Sequence, residues 1–480
     1  MNDRTLAPAW LSRSAFDTLV PGILLLHLTL SPLIFHRASL EVFEYSKVAL
    51  LLTTALLLTG CILTAGWGRL SAVLGEITRS PLAAGFLLFA LSAACSTATS
   101  IQPRTSLWGT FESFAGLWTM LAYTVLFLAT WLATRTPEAA RRLLAGSVAA
   151  AAFAAAYAVV QAVGWDPLPW ALVSQVGDYD RPFATLGHAN FLGAYLVMVV
   201  PVVAHFALLA WSRRHWLSLA VLLLVQALCV CAILLAMSRG AWLALICVCG
   251  VLAAGWASSS RQRWLGLCCV GLLICAGGLG GLGLMGKSEA GLLSHVQARL
   301  QQFAVAGSRG PVWRASLAMF RERPWFGCGL DAFPLAFGKH RPVELWNAEP
   351  NLTPVKAHSE FLHVLATQGL LGGLAVIVVL IGLAHAGWRA WRGTDAVDRP
   401  LVLAIIAGVV GFFVQVGFSF MVAGCGVLFV TFSAVLAGLA SLRGTAMEQG
   451  PRPHALSMLV AGALALLAFG YNLEPLPWTG

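Results

Sequence analysis

The sequence predicts an all-α integral membrane protein, a polytopic helical bundle of about 12–13 spans, and three observations carry that prediction. Of the 480 residues, 59% are hydrophobic and only 10% are charged, a composition outside that of water-soluble domains. Apolar runs of about 17–25 residues, each long enough to cross a hydrocarbon core as a helix, recur from end to end and leave no room for a soluble catalytic domain. Finally, Arg135, Arg141 and Arg142, then Arg213 and Arg214, Arg261 and Arg263, and Arg389 and Arg392 fall in alternate short loops. That asymmetry marks cytoplasmic loops and puts the N-terminus in the cytoplasm, so that in a bacterium the intervening loops face the periplasm.

Taken in order, the spans fall near 16–36, 48–67, 82–100, 114–134, 143–164, 191–211, 216–237, 241–257, 264–285, 361–387, 401–422, 424–441 and 455–473. The run from Phe16 follows a short polar head, exceeds a signal-peptide core and is followed by no clear small-residue cleavage site, so it reads as a retained span. The chain then divides into an N-terminal bundle of about nine spans (1–285), a large loop (286–360) and C-terminal transmembrane helices (361–480). With the N-terminus inside, the loops at 37–47, 101–113, 165–190, 238–240 and 286–360 face the periplasm. The last of these is too long for a passive connection and is a candidate for function. Within it, "EAGLLSHVQARLQQF" has apolar residues at near-helical spacing, as an amphipathic surface helix would. In the following stretch Pro311 suits a first helical turn, and Trp313, Leu317 and Phe320 share one face, so a second short helix runs to a turn at Pro324 to Gly329. The eleven cysteines form neither a disulfide framework nor a C-x-x-C pair and read as small packing residues.

A net charge of +10 suits nucleic acid, but the arginines that fall in alternate short loops argue against that partner and for membrane lipids. The polar residues that interrupt the apolar pattern cluster on the periplasmic face. His358, in "KAHSEFLHVLATQGLLGG", stands where the loop turns back into a span. His358 and His363 are five apart, about 140° on a helix, so they do not form the i, i+4 pair of a zinc protease, and the H-x-E lacks the P-C-x-x-C of a deaminase. What remains is a proton acceptor suited to neutral pH, or a histidine anchoring a helix at the interface. Arg239, in "AMSRGAWLAL", interrupts two apolar runs; it either holds an anion or snorkels to lipid headgroups. Arg309 and Arg314 flank Pro311 at a helix start, where guanidinium and exposed N–H groups together make a phosphate-binding corner. Arg181 and His188, in "DYDRPFATLGHANF", and Arg104, in "IQPRTSLWGTFESFAG", are further candidates of this kind, beside a reading as interfacial residues. No carboxylate pair, nucleotide loop or metal motif stands out, which disfavours a soluble sugar nucleotide as donor and favours a phosphorylated, lipid-anchored substrate.

In this order, "RPFATLGHANFLGAYL", "SRGAWLAL", "SRGPVWRASLAMFRERPWFGCGLDAF" and "AHSEFLHVLATQGLLGG" resemble the O-antigen ligase and O-antigen polymerase superfamily over roughly residues 100–440. The resemblance implies a GT-C-type glycosyltransferase fold with a large periplasmic loop. It implies transfer of a glycan from undecaprenyl diphosphate to an acceptor hydroxyl, with no metal or nucleotide cofactor. His358 then corresponds to the family's general base, Arg239 and Arg309 to the two arginines that neutralise the diphosphate, and Glu360 to a residue that orients His358 or contacts sugar. Arg314, Arg181, His188 and Arg104 are the accompanying substrate-binding candidates. Ser359 after the histidine and the tail "QGLLGGLA" depart from the ligase pattern, which leaves the branch open. An O-antigen ligase with a lipid A-core acceptor is the expectation; a repeat-unit polymerase, a protein O-oligosaccharyltransferase and a flippase for the same carrier are the alternatives.

Overall fold

The computed structural model describes residues 15–37, 39–64, 75–77, 79–168, 181–256, 309–348 and 353–441. The regular elements named in them are all helices: α1 (Ala15–Leu30), α2 (Glu44–Thr64), α3 (Pro81–Ala98), α4 (Pro103–Trp108), α5 (Leu117–Ala133), α6 (Pro137–Ala162), α7 (Ala189–Ser212), α8 (Trp216–Leu235), α9 (Arg239–Trp256), α10 (Arg309–Glu322), α11 (Phe333–His340), α12 (Val343–Ala348), α13 (Glu360–Gly393), α14 (Arg399–Gly417) and α15 (Ala423–Ala440). Among the described residues, α2, α3, α6, α7, α8, α13, α14 and α15 are long and apolar enough to cross a membrane, and α1, α5 and α9 contain shorter apolar helices. The chain is a multi-pass helical membrane protein. The expected spans at 264–285 and 455–473 and the amphipathic helix in 289–303 lie outside the described residues.

Burial ranks the helices. α15 is the central one, with 94% of its apolar window buried, whereas α8 has 39% buried and turns Leu217, Val221 and Leu224 outward, as a lipid-facing helix does. Because the spans alternate in direction, every candidate site residue named from the sequence belongs to one end of the bundle. That end gathers the C-termini of α8 and α14, the N-termini of α2, α7, α9, α13 and α15, and the helices α10–α12. The opposite end carries the short basic loops, where Arg141 pairs with both Asp398 and Glu138 and Arg135 with Glu76.

The long loop has its own core. Val312, Ala315 and Met319 of α10 pack with Cys328, Phe333, Phe337, Leu345 and Ala357, and with Ala366 of α13. The helix expected from Pro311 is present, but the side it packs is Val312, Ala315, Ser316 and Met319. Leu317, on the stripe with Trp313 and Phe320, stays 38% exposed.

One feature joins this loop to the membrane bundle. α13 is broken at Gly369, which takes φ 65°, ψ −155°, and the backbone groups freed by the break bond to the loop main chain. Cys328 N donates to Ala366 O (3.0 Å), Gly329 N to Thr367 O (3.0 Å), and Leu370 N to Pro324 O (2.7 Å). Irregular backbone inside a span needs such partners, since lipid offers none. Ser96 of α3 adds a bond from its hydroxyl to Thr367 O (2.6 Å). A Cβ on Gly369 would lie 2.5 Å from the Trp325 carbonyl carbon, so neither the conformation nor the space admits a side chain. Gly369→Val is therefore expected to lose at least about 2 kcal/mol of stability. Thermal unfolding in detergent, followed by tryptophan fluorescence, checks this against Gly393→Ala, whose site has nothing within 4 Å.

Candidate active site

Arg239 is placed by a tight reversal. Met237, at φ 49°, turns the chain between α8 and α9, and Ser238 starts α9 by accepting from Ala241 N (3.4 Å, Oγ) and from Trp242 N (3.0 Å, main-chain O). Arg239 thus lies in the first turn of a helix, where the macrodipole is already positive. A cation there is unfavourable unless an anion joins it. Gly240 brings α9 against α14, since a Cβ at this position would meet Gln415 Oε1 at 2.4 Å. Gln415 in turn donates from Nε2 to Asn190 O (3.1 Å), tying α14 to the start of α7.

At that start, His188 caps α7 by accepting Asn190 N at Nδ1 (3.0 Å), which assigns the proton of the neutral ring to Nε2. The preceding loop is pinned from several sides. Gln161 Oε1 accepts from Phe183 N (3.1 Å) and Ala184 N (2.7 Å), and Thr185 donates from Oγ1 to Pro32 O (2.8 Å). Arg309 is the first residue of α10.

These elements enclose a cavity of about 180 Å³ lined by Arg181, His188, Asn190, Met237, Ser238, Arg239, Gly240, Arg309, Gln415 and Phe418. Three arginines and a histidine converge there, and among the described residues no carboxylate lines it. Burial first, and then the Arg239 charge, push the pKa of Arg309 down from its ordinary value, as expected of like charges held together. The arrangement favours an anion with oxygens to spare for several guanidiniums.

His358 stands just outside the lining, within the field of Arg309. It is half-buried, and burial, followed by the Arg309 charge, lowers its pKa below the ordinary histidine value of 6.5. The imidazole is therefore neutral at physiological pH and able to accept a proton. Its backbone is held at φ 52°, a left-handed conformation that costs an L-residue about 1–2 kcal/mol. Its ring packs on Phe420 (centroids 5.5 Å), Phe420 on Phe191 (5.3 Å), and Phe191 on His188 (5.2 Å), so one aromatic wall links the two histidines.

The other candidates lie elsewhere. Arg314 is exposed and paired with Glu344 at 3.0 Å. Five residues separate it from Arg309, about 140° around α10, so the two arginines leave the helix on different sides. Arg104, exposed on α4, does not line the cavity, and neither does Glu360. The carboxylate of Glu360 accepts from Met421 N (2.8 Å). Sequence reasoning passed over Asn190, Gln415 and Phe420. Gln415 alone carried a signal, an amide within the apolar run "GFFVQVGF".

Fold and site together define a multi-pass helical membrane protein with a cationic, histidine-bordered cavity at one end of its bundle. Residues 224–377 match the family model described as O-antigen ligase, a stretch that contains Arg239, Arg309, His358 and Glu360. The match supports placing the chain in the O-antigen ligase and polymerase superfamily. No curated protein matches the chain.

If the cavity holds a diphosphate, Arg239→Gln and Arg309→Gln are each expected to weaken inorganic pyrophosphate binding by about 10–100-fold, one charge-assisted contact apiece. Arg314→Gln is expected to change it by less than about fivefold, as for a surface pair. Isothermal titration calorimetry on the detergent-solubilised protein reads both.

Proposed function

We propose that this protein is a metal-independent glycosyltransferase of the bacterial inner membrane that transfers a glycan from undecaprenyl diphosphate to an acceptor hydroxyl on the periplasmic face. Its branch is the O-antigen ligase, with lipid A-core as acceptor. The observation that carries the reading is the convergence of Arg181, His188, Arg239 and Arg309 on one cavity that, among the described residues, no carboxylate lines, with a neutral His358 in the field of Arg309. Breaking a glycosyl–phosphate bond leaves negative charge on the diphosphate, and guanidiniums already in place bind that charge more tightly as it develops.

In this reading His358 takes the proton of the acceptor hydroxyl, whose oxygen attacks the anomeric carbon. The bond from that carbon to the phosphate oxygen breaks, and its electron pair leaves with the diphosphate held by Arg239 and Arg309. Arg181 and His188 complete the wall of the cavity, and a neutral His188 ring that accepts Asn190 N at Nδ1 carries its proton on Nε2. The carrier supplies the free energy, so no nucleotide is needed. Arg314 and Arg104 fall outside this constellation and have no part in the chemistry proposed.

The test is transfer from a purified undecaprenyl-diphosphate-linked glycan, with core lipid and a second repeat unit offered separately. Transfer to core lipid identifies a ligase, and elongation of the repeat a polymerase. No transfer to either, with carrier binding intact, overturns the proposal in favour of a flippase or a protein acceptor. His358→Ala is expected to lower kcat by about 10²–10⁴-fold, the usual worth of a general base. Because the folded pKa of His358 lies below 6.5, its basic form persists as pH falls through 6.5. The acid limb of kcat/KM, which reports the free enzyme, is therefore expected below 6.5, and a limb centred above 7 would rule His358 out as the base.

A further inference from the structure

Residues 418–422, between α14 and α15, are held by charged side chains from distant parts of the chain. Glu360 accepts from Met421 N (2.8 Å, Oε2), and Lys356 donates from Nζ to Met421 O (3.2 Å). Two residues on, Ala423 N donates to Glu44 Oε2 (2.8 Å). Lys47, on α2 with Glu44 and fully buried, donates from Nζ to Thr185 O (3.0 Å) and Phe43 O (3.1 Å). Both signs of charge thus alternate through one buried set, each lysine in the field of a glutamate.

The placement of this set bears on the histidine. Lys356 lies two residues before His358 and Glu360 two residues after, and both hold the main chain of Met421, one at its carbonyl and the other at its N–H. Phe420, next to Met421, is the ring against which His358 packs, and Lys356 Nζ lies 5.1 Å from the centre of that ring. The left-handed turn at His358 needs restraint from outside, since its own backbone does not favour it. Main-chain groups of one short turn, gripped from both sides of the histidine, supply that restraint.

We infer that Glu360 and Lys356 are positioning residues: by clamping Met421 from either side of His358 they fix Phe420 as the wall behind the imidazole, while Glu44 and Lys47 extend the tie to the loop bearing Arg181 and His188. The inference rests on the reading of His358 as the base. It gives Glu360 a role that requires an acceptor oxygen and not a negative charge or a sugar contact.

Glu360→Gln keeps an acceptor for Met421 N, whereas Glu360→Ala removes it. In the transfer assay Glu360→Gln is expected to stay within about threefold of the unaltered protein. Glu360→Ala is expected to lose about 100-fold in kcat, the cost of a misplaced catalytic group, with both KM values nearly unchanged. Lys356→Met is expected to show the same signature. Glu360→Ala added to His358→Ala is expected to cause no further loss, because the two act through one group. A glutamine variant as damaged as the alanine one, a rise in KM at constant kcat, or additive losses would each overturn the inference.

A second readout does not depend on transfer. Modification of His358 by diethyl pyrocarbonate, followed by mass spectrometry, is expected to run faster in Glu360→Ala and at the original rate in Glu360→Gln. Equal rates in all three proteins refute the clamp, even if the protein proves not to be a transferase. Absent transfer with the labelling difference intact would instead refute only the proposed function.

Discussion

The break in α13 at Gly369 is the constraint on which the rest of the site depends. A span that ran straight through would leave no main-chain partners for the loop, and the loop would have to find its place through side chains alone. With the break, peptide groups of residues 324–329 bond to those of 366–371, and the small core around Phe333 and Phe337 seats on the same half-helix. α10, and with it Arg309, is thereby fixed relative to His358, since both hang from the segment that Gly369 sets apart. The apolar bundle supplies the platform, and hydrogen bonds of the main chain set the register on it.

The electrostatics follow from that geometry. Arg239 comes from the α8–α9 reversal, Arg309 from the docked loop and Arg181 from the segment before α7, so three separate pieces of scaffold press like charges into one cavity. Such a site is pre-paid in strain and repulsion: a depressed Arg309, a left-handed His358 and a left-handed Met237 all record it. A bound polyanion relieves the repulsion, and relieves it most when its charge is greatest. Burial, with that field added to it, keeps His358 unprotonated, so in the proposed reaction one arrangement serves both the leaving group and the base.

How much of this the sequence disclosed can be read residue by residue. The spans were legible because lipid demands long apolar runs, and Arg239 because it interrupts that pattern; Arg309 was picked out at a helix start within the polar loop and His358 at the edge of a span. Arg314 looked equivalent to Arg309 until the helix rotated it onto the outer side, where it meets Glu344. The break at Gly369 was passed over: Thr367, Gln368 and three glycines interrupt "ATQGLLGGLA", but nothing local announces that a loop will bond into it. The packed side of α10 was hidden for a related reason: Trp313, Leu317 and Phe320 marked one face, while the side that packs carries Val312, Ala315, Ser316 and Met319. Contacts such as Glu44 with Ala423 and Glu360 with Met421 span 379 and 61 residues, and no pattern within a window of sequence carries them.

Those separations also fix an order of events as the chain is made. The arginines of the cavity and His358 are all synthesised before Met421 and Ala423, yet the hydrogen bonds that hold the histidine's surroundings end on these two residues. Until α15 has been threaded into the centre of the bundle, the protein owns every reacting group and cannot align them. Completion of the proposed catalytic geometry is thus coupled to insertion of the most buried helix, so that, on the proposed function, a chain stalled during membrane integration is inert toward the lipid-linked sugars around it.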